Sequence, residues 1–190
     1  MQKNPINVKL LYPQEWLSGT ALSLNDEGYY EAKNYNHIVD SPILLGRLSK
    51  ASAKVEETPI EIYTYSKTDL VKSADILNAI EDILEASADF LEGLPVDHYT
   101  FLFHFEDVTM GAWEHSYSSE YVYKEKPLDE KTINSLRSTI AHEFFHIVTP
   151  LNIHSELVSE FDFENPTLGL ETALGQYEQG ADIVYQVAGR

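Results

Sequence analysis

The chain has 190 residues, of which 43% are apolar and 12% aromatic, which is enough to bury one sizeable core and excludes a disordered segment. Its formal net charge of -18 excludes nucleic acid and anionic lipid as expected partners, because an acidic surface repels phosphates. The absence of Cys excludes disulfides, thiolate nucleophiles and Cys-based zinc sites. Any metal must therefore be held by His and carboxylate side chains.

No segment of the sequence has the pattern of a membrane span or an export signal. No stretch approaches the roughly 18 consecutive apolar residues of a transmembrane helix candidate, so we expect no membrane insertion. Residues Met1 to Asn7 lack the apolar core of a signal peptide. These observations leave the compartment open.

Strands and turns are predicted over the first 65 residues. Val8–Tyr12 is a short predicted strand that ends at Pro13, and Ile60–Tyr65 alternates apolar and polar residues with a period of two. Turn signals lie between them at Asn25–Gly28 and Asp40–Pro42. This part of the chain therefore reads as a β-rich segment.

A helical period follows this β-rich segment. Apolar residues recur along one side of a predicted helix from Thr68 to Leu91, opposite a row of acidic residues. Either Ser66 or Thr68 can cap its start. Gly93 and Pro95 are signals that end it.

The rest of the chain combines strands with helices. Tyr99–Phe105 and Ser118–Tyr123 are predicted strands. A second helix is expected from Asp129 to Val148, with Asp129 as its N-cap and Pro150 after its end. A third helical stretch is expected over Leu168–Val187, although several glycines weaken it. The order of elements predicts an α+β fold with a mixed sheet packed on helices.

The second helix carries the His-Glu-Phe-Phe-His run that begins at His142. His142 and His146 are four residues apart, so both imidazoles leave the same helix face and can share one Zn²⁺ ion. Glu143 lies beside the first imidazole, where it can take a proton from a water that the metal acidifies. This spacing predicts a zinc hydrolase site.

Such a site needs a third protein ligand, and the spacing leaves several candidates open. Glu156 and Glu160 follow Pro150 closely and would need a tight reversal of the chain. Glu171 and Glu178 lie on the third predicted helical stretch, which could pack antiparallel to the motif helix and present a carboxylate. In the purely structural alternative, the motif helix is part of the hydrophobic core, and its two imidazoles form hydrogen bonds and bind no metal.

Five segments of the chain, taken together, follow the pattern of one known family. They are Tyr12–Trp16, Asn34–Pro42, Leu94–Phe105, Gly111–Ser119 with its G-x-x-E-H order, and Ala141–Ser155 with the His-Glu-Phe-Phe-His run. The chain resembles the bacterial glycyl aminopeptidase family of gluzincin zinc metallopeptidases. Members of that family have a thermolysin-like catalytic domain and often carry an N-terminal β domain and a PDZ domain.

The resemblance implies a domain division and a set of site residues. Residues 1–65 would be the end of an N-terminal β domain, and residues 66–190 would be a thermolysin-like zincin core that is incomplete at its C-terminus. Zinc would be bound by two imidazoles and the Glu178 carboxylate. The implied site residues are His142, His146 and Glu178 as metal ligands, Glu143 as general base, and Gly111, Ala112, Glu114 and His115 as substrate contacts.

The resemblance also implies an activity, a substrate and a location. The expected reaction is zinc-dependent hydrolysis of peptide bonds, and the expected partner is a peptide with a free N-terminus, whose amino group Glu114 would hold. Further catalytic-domain residues would follow Arg190, and members of the family are often exported. The alternative is a catalytically inactive fragment that binds zinc or peptide.

Overall fold

The structure is a computed structural model that describes residues 4–107 and 110–148. These residues form an α+β fold with a mixed five-stranded sheet, two smaller sheets and three helices. The elements in chain order are β1 Ile6–Val8, β2 Leu17–Gly19, β3 Ser23–Leu24, β4 Tyr30–Ala32, α1 Tyr35–Val39, β5 Leu44–Gly46, β6 Leu48–Val55, β7 Thr58–Ser66, α2 Ser73–Leu91, β8 Tyr99–Glu106, β9 Gly111–Glu114, β10 Ser118–Lys124 and α3 Glu130–Phe145.

The five-stranded sheet has the order β6-β7-β8-β10-β9. Strands β7, β8 and β10 run parallel, and β6 and β9 pair antiparallel at the two edges. Parallel pairing requires a crossover between the strands, and α2 provides it between β7 and β8. The two smaller sheets, β1-β4-β3 and β2-β5, are built from the N-terminal residues.

The main core lies between this sheet and helices α2 and α3. Strand β8 is at its centre, and its first five side chains are all buried. Helix α2 buries a stripe at every fourth residue, which is the spacing of one helix face. That stripe consists of Ile76, Ile80, Leu84 and Ala88.

Three of the four predicted strands are confirmed, and the fourth, the one nearest the N-terminus, has different bounds. Strands β7, β8 and β10 cover the predicted segments and extend each of them by one or more residues. Strand β1 ends at Val8, so the prediction of a strand over Val8–Tyr12 is wrong. The pairing stops there because the partner of Val8 is Tyr30, the first residue of β4, and the Asn25–Gly28 turn lies just before it.

Helix α2 begins at Ser73, five residues later than predicted. Asp69 has a φ of 61°, in the left-handed region, so a right-handed helix cannot pass through it. The predicted cap Ser66 instead accepts a hydrogen bond from the Val71 backbone N–H at 3.1 Å. The Thr68 backbone N–H donates a hydrogen bond to the Glu125 carboxylate at 3.0 Å. Contacts distant in sequence therefore override the local capping signal.

The five-stranded sheet includes strands from both sides of the predicted domain boundary at residue 65. β6 and β7 pair with each other and β7 pairs with β8, so the sheet runs across that boundary. The division at residue 65 stays a prediction. Among the described residues, no helix combines the length and apolar character that crossing a bilayer requires. The third predicted helix, over 168–187, lies outside the described residues.

Candidate metal centre

Helix α3 carries the predicted metal ligands, and local hydrogen bonds set its start. The Asp129 side chain accepts a hydrogen bond from the Thr132 backbone N–H at 2.8 Å, which satisfies one amide of the first turn. Glu130 adds a negative charge in that turn, where the helix dipole favours it. The predicted N-cap is confirmed.

Apolar side chains at every fourth position hold α3 against the sheet. Leu136, Ile140 and Phe144 are 3%, 0% and 0% exposed and share one helix face. The Phe144 ring lies 5.0 Å from the Tyr99 ring and 5.6 Å from the Phe101 ring, measured between centroids. This packing fixes the rotation of the helix about its axis, and with it the direction of the neighbouring polar side chains.

The helix ends at Phe145, three residues earlier than predicted, but His146 keeps a helical conformation. Its φ and ψ are -63° and -15°, and its backbone N–H donates to the Glu143 carbonyl at 3.3 Å. The i to i+4 relation between His142 and His146 therefore survives the end of the regular helix. Their ring centroids are 5.1 Å apart.

The two imidazoles and the Glu143 carboxylate converge. One ligand atom from each of His142, Glu143 and His146 lies within 4.8 Å of the other two. Glu143 and His146 are buried, with 8% and 3% exposure, whereas His142 is exposed. Solvent can therefore reach the group at the His142 side chain, whereas the His146 side chain is shielded from it.

The charges around Glu143 are unfavourable for its ionised form. Burial raises the pKa of the Glu143 carboxyl, the nearby Glu114 carboxylate raises it further, and His146 offsets part of the increase. The Glu114 carboxylate is therefore among the charges that act on the Glu143 carboxyl. A cation placed between these groups would relieve the repulsion.

These donors fit a zinc ion. The two imidazole nitrogens are ligand types that zinc uses, and the Glu143 carboxylate beside them is placed to act on a zinc-bound water. A tetrahedral zinc with bonds of about 2.1 Å holds its ligand atoms about 3.4 Å apart, so two imidazole nitrogens within 4.8 Å of each other can share one ion after a side-chain rotation. Among residues 4–107 and 110–148, this is the group of three His, Cys, Asp or Glu side chains that could hold a metal. The ligand candidates Glu156, Glu160, Glu171 and Glu178 lie outside the described residues.

The predicted substrate-contact residues lie on or beside strand β9, at one edge of the five-stranded sheet. Gly111, Ala112 and Glu114 form part of this strand, which pairs antiparallel with β10. Ala112 packs against the main core, and α3 contacts β9. Because side chains alternate along a strand, Glu114 leaves the same face as Ala112, the face that bears α3. This explains how its charge reaches Glu143.

His115 follows the strand and contacts Asp40, a residue that the sequence analysis did not include among the candidate site residues. Its Nδ1 atom is 3.3 Å from Asp40 Oδ1, and Asp40 Oδ2 accepts a hydrogen bond from the Ser116 backbone N–H at 3.1 Å. Partial burial raises the pKa of Asp40, but the hydrogen bonds from His115 and Ser116 outweigh it and the pKa lies below its ordinary value. Asp40 is 75 residues before His115; its sequence context indicates a turn and part of the Asn34–Pro42 segment, but no contact with His115.

Comparisons with known proteins agree with a peptidase relationship for part of the chain. Residues 1–47 match the family described as the Peptidase M61 N-terminal domain. No curated protein matches the sequence. The matched residues include α1, the small N-terminal sheets and Asp40.

The fold is similar to that of a crystal structure of an aminopeptidase N family protein from Idiomarina loihiensis. The TM-score is 0.64 and the sequence identity 21%, over 77% of this chain and 27% of that one. The chain thus spans about a quarter of the length of this structural relative. In both comparisons, the matching protein or domain is of a peptidase class.

Proposed function

We propose that this chain belongs to a zinc-dependent peptidase of the glycyl aminopeptidase kind, which removes residues from peptides with a free N-terminus. The observation that carries the proposal is the convergence of His142, Glu143 and His146 at the end of α3, with Glu114 of β9 close enough to act on Glu143. The proposed catalytic part is a thermolysin-like zincin core. The similarity to M61 and aminopeptidase N family proteins supports it.

In this proposal, His142 and His146 hold the zinc, and Glu178 supplies the third ligand, with Glu171 as the alternative. A bound zinc supplies a Lewis acid that acidifies water and polarises the scissile carbonyl. Glu143 accepts the proton of the attacking water and later donates a proton to the leaving amine. Its burial suits this role, because burial raises the pKa of the carboxyl, and a raised pKa helps one group both to accept and to donate a proton near neutral pH.

Strand β9 would bind the substrate backbone. Within residues 4–107 and 110–148 it is an edge strand, paired with β10 on one side, so an extended peptide can add to its other side by main-chain hydrogen bonds. Gly111, Ala112 and His115 would contribute to this surface. Glu114, at the C-terminal end of the strand, would form an ion pair with the α-amino group of the peptide.

Replacing a motif histidine should remove the metal. We expect His142→Ala and His146→Ala each to weaken zinc binding by more than about 100-fold, because each removes one of few ligands. The measurement is competition for zinc with a fluorescent chelator, on the full chain. His104→Ala is the matched control, because His104 is on β8 with its ring against Tyr65. Equal zinc affinity in all three variants would contradict the proposed ligands.

Replacing Glu114 should change which peptides are cleaved. We expect Glu114→Gln to raise KM about 10- to 100-fold for peptides with a free amino group, since a charge-assisted hydrogen bond contributes about 1.5–3 kcal/mol. Peptides with an acetylated N-terminus should lose far less. Glu120→Gln is the control, because Glu120 pairs with Trp113 in the strand register and leaves the opposite face of the sheet. An equal loss for both kinds of peptide would contradict amine recognition by Glu114.

A further inference from the structure

Asp40 joins the N-terminal part of the chain to the turn that follows β9. Its two carboxylate oxygens bind consecutive residues of that turn, the His115 ring at 3.3 Å and the Ser116 backbone N–H at 3.1 Å. An ionised Asp40 favours the tautomer in which His115 Nδ1 donates. The Nε2 atom of His115 is buried without a hydrogen-bond partner among the described residues. In that tautomer it carries a lone pair and no proton, so no N–H group is left buried without an acceptor.

The backbone that presents Asp40 is itself held in place. The Asp40 N–H donates to the Asn36 carbonyl at 2.9 Å, at the end of α1. The next residue, Ser41, is 5% exposed, and its Oγ donates to the His37 carbonyl at 2.6 Å. The carboxylate thus projects from a fixed support rather than from a free loop.

Other contacts hold the same turn against its surroundings. The His115 N–H donates to the Ser118 carbonyl at 2.8 Å, which closes the hairpin between β9 and β10. The Tyr117 ring stacks on His98, with centroids 4.8 Å apart and planes 1° from parallel. Lys33 Nζ lies 5.6 Å from the centre of the Tyr117 ring, so a second residue of the N-terminal part contacts the turn.

Strand β9 needs such support because it is short and lies at an edge of the sheet that the described residues form. It has four residues and pairs with β10 on one side. A strand of this kind has few ladder hydrogen bonds to resist fraying or rotation. Glu114 is its last residue and directly precedes His115, so any movement of the turn passes to the Glu114 backbone.

We propose that Asp40 is a positioning residue for amine recognition: by binding His115 and the Ser116 N–H, it holds the end of β9 so that Glu114 meets the α-amino group of the substrate. The inference rests on the proposed peptidase function and adds a role for the N-terminal part of the chain. Asp40 acts through the turn and has no contact with the reacting atoms. A displacement of about 1 Å in a binding group can cost about 100-fold in rate, so a small shift of β9 has a measurable effect.

The test compares Asp40→Ala with Asp26→Ala in the full, zinc-loaded chain. Asp26 is exposed in the Asn25–Gly28 turn, so its replacement removes the same group elsewhere in the N-terminal part. For Asp40→Ala we expect kcat/KM to fall about 10-fold or more for peptides with a free amino group, mainly through KM. Acetylated peptides should lose less than about 2-fold, and Asp26→Ala should match the wild type on both. Asp40→Asn, which keeps one acceptor oxygen, should lie between Asp40→Ala and the wild type.

Two activity results overturn the proposal. One is an unchanged preference for the free amino group in Asp40→Ala. The other is an equal loss for free and acetylated peptides, which would indicate a general structural role. If the wild type cleaves no peptide, the proposed function fails. Amide hydrogen exchange then tests separately whether Asp40, through His115 and Ser116, holds the end of β9 in place; these contacts are called the Asp40 clamp. Faster exchange over Gly111–Glu114 in Asp40→Ala than in Asp26→Ala supports the clamp, whereas equal exchange overturns it.

Discussion

Replacing Glu143 with Gln is expected to leave zinc bound and to lower peptide hydrolysis by about 100- to 10,000-fold, the usual contribution of a general base. Gln has nearly the same shape, so the packing around the end of α3 should persist. It has no carboxylate to accept the proton of the attacking water. The measurement is kcat for a free-amine peptide, with the zinc content of the same sample determined in parallel.

The matched control for this change is Glu130→Gln, an exposed residue in the first turn of the same helix. It should keep nearly full activity. Undiminished turnover in Glu143→Gln would contradict the proposed base. A wild-type chain that binds one zinc but cleaves no free-amine peptide would favour the alternative, a non-catalytic fragment that binds zinc or peptide.

Glu143→Gln should also stabilise the metal-free chain at neutral pH. Burial and the Glu114 charge raise the pKa of Glu143. An acid whose folded-state pKa is raised contributes stability that is present below its unfolded pKa and is lost as the pH rises through the folded value. At pH 7 the ionised Glu143 therefore destabilises the metal-free fold, and Gln removes that effect. Well below the ordinary Glu pKa of about 4.3, where the carboxyl is protonated in both states, the two melting temperatures should converge.

Replacing Phe144 with Ala is expected to lower the free energy of unfolding by about 3–5 kcal/mol. Its side chain is 0% exposed and packs on the Tyr99 and Phe101 rings, so the change leaves a cavity between helix and sheet. Phe144 also lies between the two imidazoles in the sequence. A helix that settles into the cavity would rotate both ligands, so zinc affinity should fall as well.

Phe145→Ala provides a neighbouring control for the packing effect. Phe145 is 39% exposed, and its nearest ring partner, Phe90, is 76% exposed with a centroid 6.2 Å away. We expect a loss below about 1 kcal/mol, because less apolar surface is uncovered. Both values should come from denaturant unfolding of metal-free protein, since a bound metal adds its own stability. Equal losses of unfolding free energy in the two variants would contradict the inference that Phe144 anchors α3 by packing against the sheet.

Local signals were sufficient to predict several elements. Asp129 predicts the start of α3 because capping involves only the next three residues. The alternating residues around Ile62 and the aromatic run around Phe103 predict β7 and β8, because both strands bury a face whose pattern is visible in the sequence. The spacing of His142 and His146 predicts the shared face by helix geometry alone.

Long-range pairing decided the rest. The true end of β1 depends on where β4 begins, and the start of α2 depends on a left-handed Asp69 and on the Glu125 carboxylate. No local pattern indicates these partners, since hydrogen bonds between distant segments outweigh a single capping preference. The joining of β6 and β7 to β8 in one sheet is of the same kind.

The sequence by itself determined the chemistry of the candidate site, because residue type and helical spacing are enough to bring two imidazoles and a carboxylate together. Only the tertiary structure decided what surrounds it. The approach of Glu114 to Glu143 depends on β9 pairing with β10 beside α3. The contact of Asp40 with His115 joins residues 75 positions apart. Such contacts follow from how the sheets and helices pack, which no stretch of a few residues can encode.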